Sequence, residues 1–215
     1  MPKRVLTAAL AAVLLLAGCQ PAGHAASGTA SPSASAGTPR LTAAQRKAAV
    51  LALSDLPAGY QVRPSDDGNT SSPCMKRIGA LLSGSVSRLY ADIDDGLSVS
   101  SSVETVPAGT GAAAMRRYRK LTKTCGDFAF DDQGFTAKVT FDPQPVPTLL
   151  DEGAGFVEQL VYNASSQIVT VDVIVFRYGD NIGTVGLGTQ GAAHNTADAI
   201  ALAHTAAAKL RGAAR

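Results

Sequence analysis

Few side chains in this 215-residue chain stand at spacings that chemistry can use. Gly186, Gly188 and Gly191 spell G-x-G-x-x-G between a β-patterned run and a helical one, the order of a backbone turn that cradles a pyrophosphate. Such a turn also needs a following parallel strand and an acidic residue about twenty positions on to hold a ribose. Neither follows before Arg215, so the glycines read as a flexible link from hairpin to helix. His194 and His204 fall on different faces of one helix, give no metal-ligand spacing, and have no Ser or Cys elbow motif to serve as base. Asp92, Asp94, Asp95 and Gly96 have the composition of a calcium loop without its spacing or closing glutamate, and read as a polar turn before the first strand. Asp131, Asp132 and Gly134 read as another turn, and no carboxylate pair suited to glycoside hydrolysis stands out. The expectation is a chain without catalytic residues, metal or cofactor.

One charge cluster has a clear geometry. Arg116, Arg117, Arg119, Lys120 and Lys123 crowd a helix whose other face carries Ala114, Tyr118, Leu121 and Cys125. Such a stripe either meets anionic lipid headgroups or envelope polyanions, or is the solvated side of an amphipathic helix. The formal charge of +2 includes Lys3 and Arg4. Without them 17 basic side chains face 17 acidic ones, a balance that excludes a general nucleic-acid binder. Aromatic residues make up 5% of the chain and tryptophan is missing, so the core layers must be thin.

The elements begin with an export signal. Met1 to Arg4 are cationic, Val5 to Leu16 form an apolar run too short to span a bilayer, and Ala17 and Gly18 are small. Leu16, Ala17, Gly18 and Cys19 resemble the lipobox of bacterial lipoproteins, which implies a diacylglycerylated Cys19 thiol and a new amino terminus there. The expected organisation is a signal over 1–18, a lipidated Cys19 with a flexible tether over 19–40, and one domain over 41–215. A tether mostly of Ala, Gly, Ser, Thr and Pro reaches on the order of 25 Å, which keeps the domain near the membrane. Cys74 and Cys125 are then the only thiols of the domain, and an exported pair reads as a disulfide. It would close a loop of about fifty residues, stabilise by roughly 4 kcal/mol, and require a steep crossing of the helices that carry it.

Thr42 can cap a helix to about Ser54, halted by Leu56, Pro57, Ala58 and Gly59. Ser72 and Pro73 open a second helix, with Ile78, Leu81, Leu82 and Leu89 on one face. Leu97, Val99, Val103 and Thr105 alternate as a first strand, and Thr110 starts the basic helix that Gly126 ends. Phe135 to Phe141, Phe156 to Tyr162, Ile168 to Phe176 and Ile182 to Leu187 read as strands. Gly179 and Asp180 form a tight turn, Ile168 to Phe176 is central, and the Gly-rich Ile182 to Leu187 is nearer an edge. Thr196 or Asn195 caps a final alanine-rich helix to about Leu210. The fold class is α+β, a mostly antiparallel sheet of about five strands with helices packed largely on one face.

The run Leu53, Asp55, Leu56, Pro57, Ala58, Gly59 and Tyr60, then Cys74, Cys125 after a basic helix, Val173 to Gly179 and a closing helix, resembles the actinobacterial sensor-domain lipoproteins, akin to the extracellular sensor domain of PknH-type kinases. The resemblance covers about residues 41 to 211. It implies an α+β domain with a cleft for an unidentified ligand and carries over no catalytic residue. The kinase domains have two disulfides where this chain can form one. The expected function is a membrane-anchored, non-enzymatic extracytoplasmic domain that binds an envelope ligand or protein partner. The alternatives are an envelope hydrolase or transferase built from distant carboxylates, and a structural lipoprotein without a pocket.

Overall fold

A computed structural model describes residues 38–64, 84–124, 128–132, 135–162 and 166–215. The export signal, Cys19, most of the tether, the body of the second expected helix, Cys74 and Cys125 lie outside the described residues.

The order is α1 (Ala43–Ala49), a single 3-10 turn (Leu53–Asp55), β1 (Gln61–Arg63), β2 (Val86–Asp92), β3 (Leu97–Thr105), α2 (Gly111–Thr124), β4 (Phe128–Asp132), β5 (Phe135–Gln144), β6 (Glu152–Tyr162), β7 (Gln167–Tyr178), β8 (Asn181–Gln190) and α3 (Thr196–Ala213). Among the described residues these strands form one antiparallel sheet of eight in the order β1-β2-β3-β8-β7-β6-β5-β4. The architecture is α+β as expected, with a wider sheet than about five strands.

The first difference lies at β2. Leu89, expected on a helix, lies in β2 and pairs with Ser100 of β3. Leu89, Tyr90 and Ala91 are all buried, so the strand has no polar alternation to announce it. The Asp92 to Gly96 turn therefore joins two strands, and Leu97–Thr105 is the third rather than the first. Asp131 and Asp132 close the short β4, paired with Thr136 and Phe135. The first helix is shorter than expected. Its capping box is complete, with the Gln45 amide donating to Thr42 Oγ1 (3.3 Å) and the Thr42 amide to Gln45 Oε1 (2.9 Å). Val50 then turns to extended backbone, because the Leu51 amide donates to Ser101 Oγ (3.1 Å) and the Leu51 carbonyl accepts from Tyr90 Oη (2.8 Å). Those sheet contacts replace about one and a half further helical turns.

The helices divide between the faces instead of gathering on one. In β7, Val169, Val171, Val173 and Val175 pack with Met115 and Tyr118 of α2, while Ile174 and Phe176 pack with Val185, Leu187 and the alanine face of α3. A central strand apolar on both sides needs a layer over each. Strand β8 is also central, flanked by β3 and β7, and not near an edge. Its glycines make room for neighbours: a Cβ on Gly183 would overlap the Phe176 ring, and one on Gly188 would overlap the Ser98 hydroxyl. The turn at Gly179 and Asp180 is present, with Gly179 at φ +62° as a primed hairpin turn favours.

The cap of α3 comes from the sheet. Asn195 makes no side-chain cap bond. Instead the fully buried Asp172 of β7 accepts from the Asn195 amide (2.9 Å) and the Thr196 hydroxyl (2.6 Å). A carboxylate at the first turn also complements the helix dipole.

Candidate ligand cleft

On the α1 and α3 face, three segments distant in sequence enclose a cleft of about 410 Å³. The first supplies Asp55 to Ala58 and Tyr60, the second Asp92, Asp95, Leu97 and Val99 from the β2–β3 hairpin, and the third Leu187, Asn195, Asp198, Ala201, Leu202 and Thr205. Val99 and Leu187 are fully buried core residues, so the floor is apolar. The rim is acidic.

Asp55 is committed to structure. Its Oδ2 accepts from the Ala52 amide (2.6 Å) and from Lys209 Nζ (2.7 Å), pinning the 3-10 turn to α3. Burial pushes its carboxyl up, but the amide and the ammonium outweigh that and hold it below its ordinary value. Asp92 accepts from the amides of Asp94 (3.2 Å) and Asp95 (3.3 Å), which shapes the hairpin turn. A Cβ on Gly59, at φ +105°, would collide with the Asp92 carboxylate, so glycine is needed where the chain passes over it. Tyr60 stands half-buried beside these acids. Burial first, then the charges of Asp92, Asp198 and Asp95, push its phenol above its ordinary value. Asp95 and Asp198 are exposed at the mouth. The arrangement suits an apolar body that carries a cationic or hydrogen-bond-donating head.

The basic stripe lies elsewhere, on α2 and the opposite face of the sheet. Arg119 is drawn inward: it pairs with Glu152, and its Nη2 donates to the Gly153 carbonyl (2.7 Å). Arg177 holds the other oxygen of Glu152 at 3.1 Å. Burial raises the Glu152 carboxyl, and the two guanidiniums outweigh it to leave it lowered. Arg116, Arg117, Lys120 and Lys123 remain exposed. A smaller recess of about 230 Å³ opens beside Lys123, Pro143 and Phe156.

Sequence patterns alone did not single out two glutamates. Glu158 on β6 is 6% exposed, and burial pushes its carboxyl up to about 8. Glu104 on β3 is 2% exposed and is likewise pushed up to about 8 by burial, partly opposed by Arg46. Neither lines the cleft. The glycine run is no phosphate loop, since Gly186 and Gly188 are paired inside β8. His194 and His204 are exposed. Among the described residues no three potential metal ligands cluster, and no helix is long and apolar enough to cross a membrane.

The extracellular domain of PknH from Mycobacterium tuberculosis has this fold. The two superpose with a TM-score of 0.60 at 12% sequence identity, over 80% of this chain and 100% of that one. At that identity the likeness concerns the fold alone. No family model and no curated protein matches the sequence.

Proposed function

We propose that this chain is an extracytoplasmic domain, lipid-anchored through Cys19, that binds a small ligand in the cleft and catalyses no reaction on it. The observation that carries the reading is the pairing of an apolar floor, Val99 and Leu187, with a rim of Asp92, Asp95, Asp198 and Tyr60. The favoured ligand is an amphiphile with an amine or several hydroxyls at one end. The fold shared with an extracellular domain supports the compartment, and the lipobox resemblance supports the anchor. A hydrolase would need one carboxyl kept protonated beside an ionised partner, shielded from water. Asp95 and Asp198 stand exposed at an open mouth, which disfavours that chemistry.

The test is retention. The mature chain is incubated with envelope lipids and glycopolymers, recovered, and examined by native mass spectrometry and thermal shift. A retained amphiphile that raises the melting temperature is the expected result. Ala201→Trp, which places an indole across the cleft, should abolish retention while the variant still melts cooperatively. Retention unchanged in that variant, or no retained species in the parent chain, overturns the assignment.

A further inference from the structure

The outer face of α2 has no partner within the described residues, although it gathers four exposed cations. Its fourteen residues contain no acid. Gly111, Met115, Tyr118 and Thr122 point inward, which leaves Arg116, Arg117, Lys120 and Lys123 on the opposite side. All four are exposed and make no ion pair among the described residues, whereas Arg119, nearer the sheet, is neutralised by Glu152. The functional core of the proposed ligand cleft lies on the other face, so this charge does not serve it.

The second observation is where the chain enters the fold. Thr38 sits against the turn at Gly179, and the side chain of Asn181 clasps the incoming segment, donating to the Pro39 carbonyl (2.9 Å) and accepting from the Leu41 amide (3.0 Å). The same turn starts α2: Asp180 accepts from the amides of Gly109 (2.8 Å) and Gly111 (2.9 Å). The incoming segment and the first turn of the basic helix therefore meet at one hairpin.

We infer that the outer face of α2 docks on anionic lipid headgroups, laying the domain against the membrane along this helix. The inference rests on the reading that Cys19 is lipidated, because the anchor makes a lipid surface the polyanion nearest to the stripe. A helix of fourteen residues is roughly 21 Å long, and the eighteen residues between Cys19 and Thr38 allow a span of at most about 65 Å, so an anchored chain is long enough to bring every cation of α2 to the headgroups. Tethering turns a weak surface attraction into a local one. Each Lys or Arg near an anionic surface strengthens partitioning about five-fold, the equivalent of about 1 kcal/mol.

The experiment separates the docking face from the anchor. The mature chain is made as Cys19→Ser, without lipid, and sedimented with vesicles of phosphatidylcholine containing about a third phosphatidylglycerol, or of phosphatidylcholine alone. Binding to the anionic vesicles only, lost at about 0.5 M salt, is expected. The quadruple variant R116Q/R117Q/K120Q/K123Q should weaken partitioning by about a hundredfold or more. Lys47→Gln, on α1 over the other face, should leave it within about two-fold. Circular-dichroism melts confirm that each variant is folded. Equal binding to both vesicle types, binding unaffected by the quadruple substitution, or capture of soluble polyphosphate without capture of vesicles overturns the inference. The mass of the Cys19 peptide from membranes tests the anchor by itself: an unmodified cysteine there overturns lipidation and leaves the vesicle result to judge α2.

Discussion

Replacing Glu158 with glutamine should make the protein more stable at alkaline pH and less pH-sensitive throughout. Glu158 pairs across strands with Phe141 and Val171, follows Phe156 and precedes Leu160 on one face of β6, and lies under α2 close enough to push the Tyr118 phenol upward once burial has raised it. In that setting its carboxyl titrates near 8 rather than near 4.5. Between those values the native chain keeps a proton that the unfolded chain has released, so stability is full at low pH and declines as pH rises through the folded value. The slope is at most about 1.4 kcal/mol per pH unit for one such group. Glutamine keeps the shape and has no proton that titrates in this range. The stability of E158Q relative to the parent should therefore grow by about 4 kcal/mol from pH 5 to pH 8, equivalent to about 10 °C in melting temperature for a domain of this size. Urea melts of both proteins across that range measure it. A difference that stays flat with pH would refute the argument, because it would mean that the native state releases the proton as readily as the unfolded chain.

Asp172→Ala should cost about 2 kcal/mol by removing both acceptors at the start of α3, with faster hydrogen exchange in its first turn, and Asp172→Asn should recover part of the loss. Gly183→Ala should cost about 1–3 kcal/mol in equilibrium unfolding, since the new methyl must displace the Phe176 ring; an unchanged midpoint would contradict that packing. The Asp55–Lys209 pair should contribute about 1 kcal/mol above the ordinary aspartate range, lost as pH falls through the lowered folded value. A double-mutant cycle of D55N with K209M at pH 7 and pH 3 reads that coupling.

Elements with one clear period were legible from sequence. The basic helix, the closing helix, the long strands from Phe135 onward and the turn at Gly179 each obey a single spacing, and each stands close to where that spacing puts it. Strand β2 was hidden because its neighbours bury both sides of Leu89, Tyr90 and Ala91, which erases alternation. Strand β8 looked peripheral because glycine weakens a strand in isolation, whereas here it admits Phe176 and Ser98. The polar residues of the central strand carried more than they announced: Asp172 interrupts an apolar run in order to cap a helix more than twenty positions away. The cleft was least visible. Asp55, Tyr60, Asp92 and Asp198 belong to three separate segments, and no local pattern relates them.

The sheet order has a consequence for assembly. Strands β4 to β8 form a continuous meander of neighbours, and β2 pairs with its own neighbour β3, but the pairing of β3 with β8 joins positions as far apart as Leu97 and Thr189. That pairing is the high-contact-order step, the seam where two locally formed ribbons must find each other. The cleft straddles it, with Leu97 and Val99 on one side and Leu187 on the other. An occupant would act as a clasp across the seam, and the amides of β3 and β8 would report its arrival as slowed exchange before any other part of the sheet.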